Sequence, residues 1–149
     1  MSDTTARNDK LQALRTQLAS ATTPAERVKT TLLLAEDLWL GDPGAARPLF
    51  EQAIAEAETA GDRKFGARAA SMLSELLRRA GDLDASARYA EVVLETARTT
   101  GDQRIRASGL NLVGMIHQER GQHQRALECF EEFLLLSRET GLRRENAPR

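Results

Sequence analysis

Residues Gly61–Asp102 read GDRKFGARAASMLSELLRRAGDLDASARYAEVVLETARTTGD, and the reading of this stretch decides the fold. Gly-Asp pairs at 61–62, 81–82 and 101–102 enclose two intervals. In the first, Phe65, Ala69, Met72, Leu73, Leu76, Leu77 and Ala80 recur at steps dominated by three and four; in the second, Leu83, Ala87, Ala90, Val93, Leu94 and Ala97 do the same. That is the period of an α-helix with one apolar face. Glycine ends a helix in the left-handed conformation without a Cβ penalty, and an aspartate beside it accepts from the free N–H groups that open the next helix. Gly-Asp is therefore a stop and a start in two residues.

Working outward, the same signal recurs at Gly41, Gly121 and Gly141, each twenty residues from its neighbour in the series. Asp42 follows the first of these, while Gln122 and Leu142 replace the aspartate after the others. Six of the ten glycines thus stand in phase, which fixes a repeat before any other feature is considered. The interval before Gly121 carries Ile105, Leu110, Val113 and Ile116 on one face. Seven helices are expected, near 6–20, 24–40, 43–60, 62–80, 83–99, 102–120 and 123–140. Connections of two or three residues make neighbouring helices antiparallel. The helix over 6–20, with Ala6, Ala13 and Leu14 in phase, is expected as an N-terminal half-repeat or cap, with a mobile arm as the alternative. The domain plan is this cap over 1–22, a repeat domain over 23–141 and a charged tail over 142–149.

Composition agrees. The 149 residues suit one domain with a continuous core. They are 41% hydrophobic and 29% charged, rich in helix formers and only 4% aromatic, which opposes a sheet protein. A formal net charge of −1 without a long basic run opposes broad electrostatic binding to nucleic acid or to an anionic membrane. A single cysteine, Cys129, excludes an intrachain disulfide. The polar start, Met1 to Lys10, lacks a signal-peptide core, and no run approaches the length of a membrane span. A cytoplasmic protein is the expectation.

Alternate helices differ in kind, so the full unit is about forty residues. Ala46, Ser86 and Ala126 place a small residue five positions after a turn glycine, and Phe50 and Phe130 place an aromatic nine after. Seven residues before the turn stand Ser74 and Gly114. This order, clearest in Leu110-Asn-Leu-Val-Gly114, Gly121 and Ala126-Leu-Glu-Cys-Phe130, resembles the tetratricopeptide repeat in its longer, roughly forty-residue form. The resemblance covers about 24–141. It implies an all-α, right-handed superhelical array of antiparallel helix pairs, an α-solenoid. Leu34, Ala90 and His117 depart from the pattern, and of the second small position only Ala53 is kept, with Val93 and Phe133 in its place. HEAT-type repeats share the period, but a glycine at every turn favours the tetratricopeptide reading.

No chemistry stands out. His117, His123 and Cys129 are spaced by six, where metal ligands on one helix face need three or four, and no P-loop, GxGxxG, GxSxG or CxxC occurs. No catalytic residue, metal or cofactor is expected. The resemblance implies that the first helix of each repeat lines a concave partner-binding face. By phase this gives Val28, Thr31, Ala35, Leu38 and Trp39 from the first repeat; Arg68, Ser71, Glu75, Arg78 and Arg79 from the second; Ser108, Asn111, Met115, Gln118 and Glu119 from the third. Arg68, Arg78 and Arg79 read as a modest basic strip for carboxylates and backbone carbonyls, and Asn111 and Gln118 as donors and acceptors for a peptide backbone. The lysine–asparagine set that clamps a C-terminal carboxylate in some family members has no counterpart. In the last helix, Phe133, Leu135 and Leu136 are expected partly bare, a surface for self-association or a docked partner. The expected function is an adaptor or scaffold for a protein or peptide partner, with a regulatory or sensor subunit as the alternative and an enzyme a distant third.

Overall fold

A computed structural model describes residues 2–141, and the tail over 142–149 lies outside the described residues. In order, the elements are α1 (Ser2–Ser20), α2 (Pro24–Trp39), α3 (Pro43–Ala60), α4 (Arg63–Arg79), α5 (Leu83–Thr100), α6 (Gln103–Glu119) and α7 (His123–Thr140). No strand occurs among the described residues. The fold is the expected all-α array of antiparallel helix pairs. Every expected helix is present; α1 begins four residues earlier than the periodicity placed it, at position 2 rather than 6.

The twenty-residue signal acts as its chemistry dictates, with two exceptions. Gly61, Gly81, Gly101, Gly121 and Gly141 all have φ between 70° and 87°, the left-handed region that glycine alone enters freely. Asp42, Asp62, Asp82 and Asp102 each accept a backbone N–H from the first turn of the following helix, at 2.9–3.2 Å. The first exception is Gly41, which is not left-handed: α2 ends on Leu40 with φ −72°, and Asp42 N donates to Leu38 O at 2.7 Å. A Cβ there would stand 2.5 Å from the Arg7 guanidinium, the mobile end of an exposed side chain that a small substituent would displace. The second is Gln122, which makes no capping bond for α7 and instead meets His117 Nδ1 at 2.6 Å.

The chain divides into two compact units, Met1–Ala69 and Ala70–Arg149. In the first, α1 packs on α2, and α2 on α3. Phe50 is fully buried and meets Trp39 edge-on, with ring centroids 6.1 Å apart. Val28, Thr31, Ala35 and Leu38, placed by phase on a partner-binding face, are buried. The reason is that α2 carries apolar residues on more than one face (Leu32 and Leu34 are buried as well), since it packs between two helices. In α1 the buried residues are Leu11 and Leu14, whereas Ala6 and Ala13 are exposed.

In the second unit the repeat positions meet as the forty-residue register requires. The Phe130 ring lies so close to Gly114 that a Cβ there would be 2.7 Å from Phe130 Cε1. Where α5 carries Ala90 instead of an aromatic, Ser74 and Ser86 join α4 to α5. Each hydroxyl donates to the other residue's carbonyl, at 2.8 and 2.7 Å, and both serines are fully buried. Ala107, Leu110 and Leu136 form a cluster on which Leu94 and Phe133 pack.

Candidate functional site

Within the second unit, α4 and α6 present the polar residues that phase assigned to their outer face, and the structure brings several together. Ser71 and Ser108 hydroxyls lie 3.2 Å apart. One helical turn further along α4, Glu75 accepts from Arg78 at 2.5 Å and from Arg79 at 2.9 Å. Arg78 also reaches across to the Glu119 carboxylate on α6. Burial opposes ionisation of Glu75, but the hydrogen bonds and charges of Arg78 and Arg79 outweigh it and hold the carboxyl below the usual glutamate range. The hydrogen bond that Arg78 donates to Glu75 in turn raises Arg78, against partial burial and with help from Glu119.

This network corrects the basic strip read from the sequence. Arg78, with 12% of its side chain exposed, is shared between two carboxylates, and Arg79 is bound to Glu75. In the first unit Arg68 pairs with Glu36 at 2.8 Å. The arginines are neutralised by partners 3 to 41 residues away in the chain, so the stripe is charge-balanced rather than cationic. Trp39, also in the first unit, is half-buried against Phe50.

Beside the network on α6, Asn111 and Met115 are half-buried and Gln118 is exposed. The amides of Asn111 and Gln118 make no side-chain hydrogen bond among the described residues, so their donors and acceptors are unspent. On α7, Leu135 is exposed as expected, but Leu136 is buried in the cluster with Ala107 and Leu110, and Phe133 packs against it. The leucines left bare are Leu127, Leu134 and Leu135, at 50%, 41% and 56% exposure. Steps of seven and eight put them on one side of the helix, a periodicity already present in the sequence.

Among the described residues no group of three or more His, Cys, Asp or Glu is placed to hold a metal ion. Cys129 is half-buried, and burial together with Glu132 and Glu128 pushes its thiol up, away from the reactive thiolate. No helix among the described residues is long and apolar enough to cross a membrane.

Antiparallel helix pairs turned by left-handed glycines, with a small residue facing an aromatic across the pair, define a helical-repeat protein. Residues 106–140, which span α6, the turn at Gly121 and α7, match the tetratricopeptide repeat family. The crystal structure of MamA aligns with a TM-score of 0.69 at 18% identity, over 94% of this chain and 74% of that one. A second crystal structure of MamA aligns with a TM-score of 0.43 at 14% identity, over 94% of this chain and 87% of that one. The first likeness shows the fold. No curated protein matches this sequence. Family and fold together support a protein-interaction scaffold in general terms.

Proposed function

We propose that this chain binds a segment of another protein along the stripe formed by α4 and α6 in its second unit, without chemistry of its own. The observation that carries this reading is the pair of unspent amides, Asn111 and Gln118, beside a charge-balanced floor of Glu75, Arg78, Arg79 and Glu119. Such a floor gives no net pull on a charged ligand, whereas free amides satisfy the backbone N–H and C=O groups of a bound segment. Met115 adds an adaptable apolar contact. The expected ligand is thus a peptide of low net charge, recognised largely through its backbone. A peptide library displayed on phage tests this: sequences selected on the unsubstituted protein should bind Asn111→Arg and Met115→Glu variants at least about tenfold more weakly, since each change removes or blocks contacts worth 1–2 kcal/mol. Equal binding to all three proteins overturns the assignment.

A second reading rests on Leu127, Leu134 and Leu135, whose exposure along α7 favours association with a second copy. Sedimentation of the chain as a monomer at high micromolar concentration, unchanged by Leu135→Glu, removes it.

A further inference from the structure

We infer that the face of α2 covered by α1 is itself a helix-binding surface, which α1 fills only in part and from which a better-fitting helix of a partner protein displaces it. This surface lies in the first unit and is separate from the stripe on α4 and α6.

The two ends of α1 are held very differently. At its N-terminal half, Arg7 donates to the Asp37 carbonyl at 3.0 Å, one of the last carbonyls of α2, which have no partner within the helix. Lys10 reaches Asp37 Oδ1 at 3.2 Å, and Leu11 and Leu14 are 8% exposed. At its C-terminal half the helices part around a cleft of 440 Å³, lined by Gln17 and Ser20 of α1 and by Glu26, Lys29, Thr30 and Leu33 of α2. Leu33 remains 40% exposed at this cleft. An open cleft of this size admits water, so the apolar surface of Leu33 stays hydrated and its burial by an incoming side chain is favourable.

The covered half is also imperfectly matched. Asp37 Oδ2 is buried without a hydrogen-bond partner among the described residues, because the single ammonium of Lys10 serves only Oδ1. An arginine fork in that place would serve both oxygens at once. Lys10 is itself mostly exposed, at 67% of its side chain, so this ion pair holds α1 only weakly.

The slot therefore specifies its ligand. It takes an amphipathic helix that runs antiparallel to α2, with a basic residue over the α2 C-terminus, an arginine opposite Asp37, leucines three residues apart, and apolar side chains where α1 has Gln17 and Ser20. In this arrangement α1 is a resident pseudo-ligand, and the partner competes with it.

The test uses the full chain and a fluorescent synthetic peptide of residues 2–20 carrying Lys10→Arg, Gln17→Leu and Ser20→Leu. Fluorescence anisotropy should show it binding an Arg7→Glu/Lys10→Glu chain, whose own α1 is loosened, at least about tenfold more tightly than the unsubstituted chain. Adding Asp37→Lys to that chain should abolish the gain. In the unsubstituted chain, which needs no variant to fold, saturating peptide should release hydrogen-exchange protection in residues 4–18 and leave residues 24–60 protected. Equal affinity for the two chains, absence of binding, or binding that leaves α1 protected overturns the proposal. A substituted chain that sediments as a dimer and ignores the peptide assigns the slot to a second copy and likewise overturns it.

Discussion

The pairs α4–α5 and α6–α7 solve one packing problem by different means. Forty residues separate Ser74 from Gly114, Ser86 from Ala126 and Ala90 from Phe130, so each position of one pair has its equivalent in the other. In α6–α7 the missing side chain of Gly114 leaves a recess that the Phe130 ring fills. In α4–α5 the ring is absent, and two serines close the gap by exchanging hydrogen bonds with each other's backbone. A repeat family thus constrains the distance between its paired helices more tightly than the residues that set it. A buried hydroxyl is acceptable at such a point only when its partner is supplied from the facing helix, as it is here.

The largest expected effect comes from removing the ring. Phe130→Ala should destabilise the protein by about 3 kcal/mol, the lower end for deletion of a phenylalanine since this one is half-buried. Urea unfolding followed by far-UV circular dichroism measures it. Grafting the serine solution onto that variant, with Gly114→Ser and Ala126→Ser, should recover about 1 kcal/mol. No recovery breaks the equivalence of the two pairs. Next in size, Ser74→Ala should cost about 1 kcal/mol, and Ser74→Ala/Ser86→Ala less than the sum of the single changes, because the two hydroxyls also lie 3.1 Å apart and either single change removes that shared contact. A double-mutant cycle reads this directly, and strict additivity would mean that the serines do not act together. The smallest effect concerns the turns. α5 is capped by Asp82, whereas Gln122 leaves α7 uncapped. Gln122→Asp should therefore raise stability by about 0.5 kcal/mol in a thermal melt, the gain of the cap reduced by loss of the contact with His117. A lower melting temperature would show that the His117–Gln122 contact is the better arrangement.

The helices were legible because their boundaries are written in single residues with strong local physics: a glycine that turns and an aspartate that caps. The Gly114–Phe130 contact was legible for a related reason, since a glycine inside an apolar helical run signals close approach. The candidate site was less so. The partners of Arg68 and Arg78 include residues 32 and 41 positions away, Glu36 and Glu119, and the charge of a surface depends on such tertiary pairings. In α2, burial on more than one side makes an amphipathic phase ambiguous, which is why Val28, Thr31, Ala35 and Leu38 were read as lining a binding face. Leu136 and Leu135 are adjacent in sequence yet point apart by about 100° on the helix, enough to bury one and leave the other bare.

The even spacing of the left-handed glycines carries a consequence for how this chain tolerates change in length. Each turn arrives after a fixed number of residues, so every helix presents its apolar face in step with the one before. Inserting one residue within α5 would swing everything beyond it on that helix by about 100°, presenting the wrong side to α6. Growth or loss of sequence is compatible with this architecture chiefly in whole forty-residue increments, which makes duplication of a helix pair a smaller disturbance than addition of an amino acid.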